Sequence, residues 1–330
     1  MSYIRENIGN NIDLGYLNLL EDILENGTEK QTRSGKVTSV FGRQIRHDMS
    51  LGFPLLTTKR VAFNQIKSEL KWFLKGSTDI RDLWKDNNHI WNGDWYKKYR
   101  TTCSSPYSLD EIIEFGLSDT PNHFSKDTWT LGPIYGHQWK SWGGSYTEQG
   151  GRHFTSSSSK GIDQIQQVMD DLKNNPDSRR IMVNAWNVDQ IQYMTLPPCH
   201  YGFQFWTRES TREEKITNPG KYRVLSLMWN QRSVDTPLGL PFNIASYALL
   251  LEMMASEVNM IAGELIGNLG DTHIYQNQIE GVMTQLKRSI STLPKIKIQD
   301  GMYSSLDSQS KDIILENYKP QPKISFPLSN

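Results

Sequence analysis

Residues 195–206 read Thr195-Leu196-Pro197-Pro198-Cys199-His200-Tyr201-Gly202-Phe203-Gln204-Phe205-Trp206. The two prolines each fix φ and lack a backbone donor, so they predict a stiff turn that leads into a strand. After Cys199, the residues Tyr201, Phe203 and Phe205 alternate with the other three, which predicts a strand with one apolar face. The stretch therefore places a cysteine at the entrance of a strand.

The thiol of Cys199 has two interpretations on this stretch alone. A free cysteine is more often a small buried side chain than a nucleophile. A nucleophilic cysteine also needs help, because a thiol with an ordinary pKa of about 8.5 is mostly protonated at neutral pH. The rest of the sequence has to decide between them.

Composition excludes several classes of protein. The chain has 330 residues, with 36 basic and 36 acidic side chains, so it lacks the net positive charge of a typical nucleic-acid-binding protein. Cys103 and Cys199 are too few for a disulfide framework, and the first residues lack the features of a signal peptide, which predicts a cytoplasmic protein. No apolar run reaches the roughly 20 residues of a membrane helix. Ten tryptophans favour a deep ligand pocket.

Hydrophobic periodicity predicts a mixture of helices and strands. Helices are expected over 16–24, 63–74, 162–172, 242–258 and 279–286, with a short one near 109–115. Strands are expected over 37–45, 181–185, 225–231, 295–298 and 312–315. No repeat or linker separates these elements, so we predict a single α+β domain over 1–330. Surface insertions are expected near 96–128, 143–160 and 208–221, the last as a charged hairpin loop.

Five sequence motifs together resemble thymidylate synthase. They are Leu-Pro-Pro-Cys-His at 196–200, Asp-Ser-Arg-Arg at 177–180, Gln-Arg-Ser-Val-Asp at 231–235, Leu-Pro-Phe-Asn-Ile-Ala-Ser-Tyr at 240–247 and Gly-Asp-Thr-His-Ile-Tyr at 270–275. The resemblance runs from about residue 16 to the end and is interrupted by the predicted insertions. It implies a mixed β-sheet covered by helices, with two such sheets packed back to back in an obligate homodimer.

The resemblance also implies a reaction. In this family dUMP and 5,10-methylenetetrahydrofolate give dTMP and dihydrofolate, and the folate co-substrate supplies both a carbon and a hydride. Cys199 is expected to add to carbon 6 of the uracil ring. No metal, nucleic acid or membrane is required.

Four arginines are expected to bind the phosphate of dUMP, because guanidinium groups match phosphate oxygens well. The resemblance implies Arg33 and Arg232 from one subunit and Arg179 and Arg180 from its partner. Arg232 is also the candidate cation beside the thiol. The alternative for each of these arginines is an ordinary solvated surface position.

Further residues are assigned to the nucleoside by the resemblance. Asn243 is expected to distinguish uracil from cytosine, since a side-chain amide offers one donor and one acceptor. Its alternative role is helix capping. His273 and Tyr275 are expected to bind the 3′-hydroxyl. The remaining substrate-binding candidates are His200, Gln231 and Ser233.

The folate and the proton transfers have their own candidates. Asp235 is expected to bind the pterin ring, Ile90 and Trp91 to pack on the folate, and Lys59 to lie near its glutamate tail. Gly239 and Phe242 complete the folate-binding candidates. Tyr135 is expected to help a water take the proton from carbon 5, unless it is only a core residue. Glu69, an acid among apolar neighbours, is expected to order waters near carbon 4 and the folate nitrogen.

Two alternative functions stay open. A hydroxymethylase of the same fold would let water capture the methylene and would make hydroxymethyl-dUMP. A catalytically silent nucleotide-binding dimer would have lost its reactive residues, whereas here that set is complete. The sequence departs from the family pattern at Gln278 and Gln321, where histidines are common, and in the polar end of 327–330, a segment that closes over folate in the family.

Overall fold

The computed structural model describes residues 9–102, 106–118, 124, 126–144, 146–148, 152–154, 161–298 and 313–328. These residues form two compact units. Unit 1 lies within Met1–Phe63, Met169–Met182 and Cys199–Asn330, and unit 2 lies within Asn64–Val168 and Val183–Pro198. The α+β class is confirmed, and the single domain over 1–330 stays a prediction. Cys103 and parts of the predicted insertions lie outside the described residues.

Helices and strands follow one another in this order: α1 Asn11–Asn26, β1 Thr28–Thr32, β2 Gly35–Asp48, α2 Phe63–Leu74, α3 Ile80–Lys85, α4 Asn92–Thr102, α5 Leu109–Leu117, α6 Tyr135–Ser141, β3 Tyr146–Glu148, β4 Arg152–Phe154, α7 Gln164–Asn174, β5 Met182–Asn184, β6 His200–Glu209, α8 Arg212–Thr217, β7 Arg223–Asp235, α9 Leu240–Glu257, β8 Ile261–Tyr275, α10 Ile279–Leu286, β9 Lys295–Ile298 and β10 Ile313–Glu316.

A six-stranded mixed sheet has the order β1-β2-β8-β7-β6-β5. β7 and β8 are parallel, whereas β1 with β2, β2 with β8 and β6 with β7 pair in antiparallel fashion. Parallel neighbours need a crossover connection, and here α9 supplies it between β7 and β8. The helix packs against both of those strands. The prediction of a buried, apolar central helix is confirmed for α9.

The strand after Cys199 contains a register shift that the sequence pattern did not reveal. His200 pairs with Gln231 and Gly202 pairs with Asn230, so Tyr201 is the extra residue of a β-bulge. Phe203 and Phe205 are buried as expected, but Tyr201 is exposed. The prediction that Tyr201 shares their apolar face is wrong, because the extra residue of a bulge is re-aimed relative to its strand.

The segment predicted as a charged hairpin loop joins the antiparallel strands β6 and β7, as expected, but it contains the short helix α8. A capping box explains this helix: the Thr211 hydroxyl accepts from the Glu214 amide, and the Glu214 carboxylate accepts from the Thr211 amide. Arg208 also pairs with Glu214 at 2.6 Å. These local hydrogen bonds order a polar segment that has no buried residue of its own.

Unit 2 has an aromatic core. Trp95 and Trp129 are stacked with ring centroids 6.1 Å apart, and Trp84 meets each of them edge-on. A Cβ on Gly116 of α5 would lie 2.6 Å from the Trp84 ring, so the close approach of α5 requires this glycine. The short helix predicted near 109–115 is confirmed by α5, whose N-terminus carries a Ser108–Glu111 capping box.

No helix within the described ranges is long and apolar enough to span a bilayer.

A buried carboxylate fixes the start of α1 in unit 1. Asp13 is 0% exposed, and it accepts hydrogen bonds from the amides and hydroxyls of both Thr57 and Thr58. Asn10 caps the helix and donates to the same carboxylate at 2.6 Å. The carboxylate therefore joins the N-terminus of α1 to the loop that precedes α2.

We expect Asp13→Ala to lower the free energy of unfolding by about 3 kcal/mol or more, because buried donors lose a charged acceptor. Asp22→Ala on the same helix is the matched control. Asp22 pairs with Arg43 at the surface, and such pairs contribute about 1 kcal/mol or less. Urea unfolding of both variants at one pH compares them, and equal losses would contradict the role given to Asp13.

Candidate active site

The carboxyl ends of the two parallel strands bring several predicted site residues together. In the β7–β8 register Asp235 lies opposite His273, and Ser233 lies opposite Asp271. On the other side of β8, Tyr275 pairs with Val37 of β2. In open sheets with parallel strands, ligands bind beyond the carboxyl ends of those strands. This end of the sheet in unit 1 is therefore the candidate nucleotide site.

Cys199 enters the sheet next to Arg232. The Arg232 amide donates to the Cys199 carbonyl at 2.8 Å, so the backbone of the candidate nucleophile is bound to the strand that carries the candidate cation. Cys199 is half-buried and forms no disulfide, and the Arg232 side chain is exposed. A half-buried, unbridged thiol whose backbone is bonded to that of an exposed arginine fits a reactive cysteine better than an inert core cysteine.

His200 points toward the central helix. Its Nδ1 lies 2.8 Å from the Tyr247 hydroxyl of α9, and the two rings meet edge-on. Burial lowers the pKa of His200 to about 3. The imidazole is therefore neutral at physiological pH and does not supply positive charge to a phosphate.

Gln231 connects the strand to the candidate base reader. Its Nε2 donates to Asn243 Oδ1 at 3.0 Å and to the Ser233 carbonyl at 3.1 Å, and its Oε1 accepts from Trp229 Nε1 at 3.1 Å. Asn243 lies in the first turn of α9. Because Gln231 donates to Oδ1, the orientation of the Asn243 amide is set by its partner.

Asp235 ends β7 in a largely buried environment. Its carboxylate accepts from the Leu238 amide at 3.1 Å and from Gln278 Nε2, which lies 3.1 Å from both oxygens. Burial raises the pKa of Asp235, and these hydrogen bonds oppose the rise. The nearby Lys59 is buried too and donates to the Pro237 carbonyl. Burial lowers the pKa of Lys59 to about 7, while the charge of Asp235 acts in the opposite direction.

His273 and Tyr275 lie together at the end of β8, with their rings edge-on and centroids 5.1 Å apart. Asp271, which was not among the predicted site residues, lies 3.4 Å from His273 Nδ1 and pairs with Lys30 of β1 at 2.8 Å. Burial raises the pKa of the Tyr275 hydroxyl, and the charges of Asp235 and Cys199 raise it further. Cys199 and Tyr275 are thus close enough to interact electrostatically.

The predicted phosphate-binding arginines fall into two groups. Arg33 lies in the β1–β2 turn, and its charge acts on the Tyr275 hydroxyl. Arg179 and Arg180 precede β5 at the other edge of the sheet, where the Arg179 carbonyl accepts from Gln204 of β6 at 3.4 Å. All three side chains are exposed. Arg33 is separated from Arg179 and Arg180 by the width of the sheet, and Arg232 lies between them on β7.

Unit 2 assembles the predicted proton-transfer residues. Glu69 Oε1 accepts from Trp91 Nε1 at 2.8 Å, and the Tyr135 ring lies 6.0 Å from the Trp91 ring and 4.9 Å from Phe73. The Ile90 amide donates to Asn88 Oδ1 at 3.2 Å. Burial raises the pKa of Glu69 from 4.5 to about 7, and the hydrogen bond from Trp91 opposes the rise.

Gln278 had no predicted role, although its position was known to depart from the family pattern. The structure places its buried side chain against Asp235 and Tyr275. The departure from the family pattern was the available signal, since an unusual residue at an otherwise recognisable site is a candidate for a changed contact.

Among the described residues, no three His, Cys, Asp or Glu side chains form a group that could hold a metal ion.

The raised pKa of Glu69 predicts a pH dependence of stability. Between pH 4.5 and about 7 the folded chain binds a proton at Glu69 that the unfolded chain releases, so stability falls as the pH rises through this range. Glu69→Gln removes this dependence. The difference in the free energy of unfolding between Glu69→Gln and the parent should therefore change with pH. Between pH 5 and pH 8 we expect it to shift in favour of the variant by on the order of 2 kcal/mol, a value reduced for the partial exposure of Glu69.

Urea unfolding at the two pH values measures this difference, with Glu213→Gln on the exposed surface of α8 as the control for the loss of one negative charge. A difference between Glu69→Gln and the parent that is the same at pH 5 and pH 8 would contradict the assignment.

Comparison with known proteins identifies the family of the chain. The family model described as thymidylate synthase matches residues 14–330. Proteins named thymidylate synthase from Listeria monocytogenes serovar 1/2a (strain ATCC BAA-679 / EGD-e) and from Listeria innocua serovar 6a (strain ATCC BAA-680 / CLIP 11262) are each 40% identical to the chain over 337 residues. Each alignment covers 95% of this chain and 99% of the relative. The chain belongs to the thymidylate synthase family.

Proposed function

We propose that the chain converts dUMP to dTMP by reductive methylation, with 5,10-methylenetetrahydrofolate as the donor of the carbon and the hydride. The observation that carries this proposal is that two neighbouring residues of β7 hold the nucleophile and the base reader. The Arg232 amide binds the Cys199 carbonyl, while the Gln231 side chain binds Asn243. A thiol and a side-chain amide held by one strand suit addition to a pyrimidine ring.

Cys199 acts as the nucleophile in this proposal. Its thiolate adds to carbon 6 of uracil, the electron pair of the 5,6 double bond moves toward the carbonyl at carbon 4, and carbon 5 becomes nucleophilic. Elimination of the same thiolate at the end restores the double bond. Arg232 stabilises the thiolate, and its exposed guanidinium also binds the phosphate of the nucleotide.

Asn243 distinguishes uracil from cytosine. Its Nδ2 donates to the carbonyl at carbon 4, and its Oδ1 accepts from N3–H while also accepting from Gln231. Cytosine presents the opposite pattern at both atoms, so it leaves the amide unpaired. His273 and Tyr275, at the end of β8, bind the 3′-hydroxyl of the deoxyribose. His200, neutral because it is buried, keeps β6 against α9 beneath the base.

The residues present fit a folate. Methylenetetrahydrofolate, when bound, supplies the one-carbon unit and then the hydride. Asp235 offers a buried carboxylate to the N–H groups of a pterin ring. A Cβ on Gly239 would lie 3.3 Å from the Asp235 carbonyl and 3.9 Å from Asn243 Oδ1, so the absence of a side chain keeps space beside both residues. The resemblance to the family adds Phe242, Lys59, Ile90 and Trp91 as folate contacts.

The resemblance to the family assigns the proton transfers to Tyr135 and Glu69. With a pKa of about 7, Glu69 is present in both protonation states near neutral pH and is able to take up or release a proton. Trp91 donates to it and so fixes the carboxylate. Tyr135 acts on the water that takes the proton from carbon 5.

We also propose that the protein works as a homodimer. Unit 1 has an open cavity of about 520 Å³ that is bordered by Phe41 (80% exposed), Tyr201 and Arg232, and Trp206 of β6 is also exposed (59%). Exposed aromatic residues around such a cavity are typical of an interaction surface, and a second copy of the chain is the proposed occupant.

The position of the arginines supports a site shared between two copies. Arg179 contacts Gln204, which lies five residues after Cys199; one of the five is the bulge residue Tyr201, so the remaining four steps along the strand span roughly 13 Å at about 3.3 Å per residue. Arg33 and Arg232 lie at the Cys199 end of the sheet. We therefore assign Arg179 and Arg180 to the phosphate bound by the partner subunit.

The first functional prediction concerns Cys199. We expect the parent protein to form dTMP and dihydrofolate one for one from dUMP and methylenetetrahydrofolate, whereas Cys199→Ala forms neither and still binds dUMP. Mass spectrometry of the products and the absorbance of dihydrofolate measure both. Cys103→Ala, which changes the other cysteine, is the control and should keep its activity.

The same experiment distinguishes the alternatives. Hydroxymethyl-dUMP as the main product, without dihydrofolate, would favour the hydroxymethylase. Binding of dUMP without any product would favour the silent dimer. Activity of Cys199→Ala within about tenfold of the parent would contradict the nucleophile assignment.

The second functional prediction concerns the shared site. Arg179→Ala and Cys199→Ala should each be inactive alone, but a mixture of the two should recover activity, because one of the two sites in a heterodimer receives neither change. An equal mixture gives about half heterodimers and so about a quarter of the parent's activity. Mixing Cys199→Ala with Arg232→Ala is the control: because Arg232 is assigned to the same subunit's site as Cys199, each site of this heterodimer carries one of the two changes, and the mixture should stay inactive. Heterodimers that form and stay inactive in the first mixture would contradict the exchange of arginines.

A further inference from the structure

Gln278 is a buried amide that contacts three different parts of unit 1. It is 1% exposed. Its Nε2 lies 3.1 Å from both oxygens of Asp235 and 3.3 Å from the Pro327 carbonyl, and its Oε1 accepts from the Tyr275 amide at 3.1 Å. A primary amide has two N–H donors, so one can serve the carboxylate while the other serves the carbonyl.

The segment that carries Pro327 is also held through its neighbour Phe326, which is 8% exposed. A Cβ on Gly281 of α10 would lie 2.6 Å from Phe326 Cε1, so the ring packs where the glycine leaves space. Lys59 Nζ lies 4.5 Å from the centroid of the same ring. Residues 326–327, which we call the tail segment, are therefore seated by a ring contact and by Gln278.

We propose that Gln278 is a positioning residue that couples the seating of the tail segment to the orientation of the Asp235 carboxylate. This inference rests on the proposed function, in which Asp235 binds the pterin ring. Because the same Nε2 serves Asp235 and Pro327, displacement of the tail segment frees the amide to turn and weakens the support of the carboxylate. Folate binding and tail seating then favour each other.

A neutral amide suits this position. Lys59 and His273 lower the pKa of Asp235, the titratable hydroxyls of Tyr16 and Tyr275 also interact with its charge, and the Leu238 amide supplies a further hydrogen bond. A carboxylate in place of Gln278 would repel Asp235, and a cation would compete with Lys59 for it. The amide donates without changing the net charge, and the hydrogen bond opposes the rise in the pKa of Asp235 that burial causes.

The main test uses Gln278→Glu in the full chain. This change keeps the shape of the side chain and the oxygen that accepts from the Tyr275 amide, but it removes the donors to Asp235 and Pro327. Gln276→Glu, on an exposed residue of the short 3-10 helix Gln276–Gln278, is the matched control. Gln278→Met, which fills a similar volume without donors, replaces the first variant if that variant does not fold.

The first readout does not depend on catalysis. Hydrogen–deuterium exchange of the peptide that contains residues 326–328, measured without ligands, should become at least about tenfold faster in Gln278→Glu and unchanged in Gln276→Glu. Phe326→Ala should also speed exchange there, because it removes the ring contact and leaves Gln278 intact. Unchanged exchange in the Gln278 variants would overturn the proposal.

The second readout is kinetic. We expect the KM for methylenetetrahydrofolate to rise about tenfold in Gln278→Glu and in Phe326→Ala, a change that corresponds to about 1.4 kcal/mol, while the KM for dUMP stays within about twofold. Equal increases of both KM values, together with a lower Tm, would show that Gln278 only supports the fold and would overturn the proposal. If the parent and Gln276→Glu formed no dTMP, the proposed function itself would fail. The exchange experiment would still show whether Gln278 holds the tail segment in place.

Discussion

The parallel pairing of β7 with β8 is the constraint on which unit 1 depends. It brings the carboxyl ends of both strands to the same end of the sheet, so that Asp235 lies opposite His273. It also requires a long crossover, and α9 fills that connection with Asn243 in its first turn. Antiparallel β6 pairs with β7 and starts at His200, directly after Cys199. Different parts of the chain thus bring the nucleophile, the base reader and the sugar-binding residues to one end of the sheet.

Burial determines the charge states of titratable groups at that end of the sheet and in unit 2. It lowers the pKa of His200 to about 3 and that of Lys59 to about 7, and it raises the pKa of Glu69 to about 7. The first residue is therefore fixed in its neutral form, whereas the other two are close to half-ionised at neutral pH. The phosphate-binding candidates differ from all three, because their guanidinium groups are exposed. Fixed positive charge lies at the surface, and exchangeable protons lie inside.

Local patterns predicted much of this fold from the sequence. The helix periodicity before Asn26-Gly27 and the apolar run that became α9 both gave the right elements. Strand β8 was not predicted at all, because its polar and small residues do not alternate in a clear pattern. The strand order was also beyond local patterns, since it depends on pairings between residues far apart in the chain.

The candidate site was predicted through the order of its motifs rather than through geometry. Cys199 and Asn243 were named before the structure, but the way Gln231 and Arg232 hold them could not be read from residue types. The contacts of Gln278 were missed for the same reason. A buried glutamine has no sequence signature of its own, and its three partners are brought together only by the folded chain.

The bulge at Tyr201 has a consequence for how this protein can diverge in evolution. Side chains in a strand alternate with a period of two, so the gain or loss of one residue between Gly202 and Glu209 would turn Phe203 and Phe205 outward and Trp206 inward. The α8 segment has no such register, and it makes its own capping hydrogen bonds. Insertions and deletions among descendants of this gene should therefore accumulate in the α8 segment, and within β6 an extra residue should be tolerated only as a bulge, as at Tyr201, which keeps Phe203 and Phe205 buried.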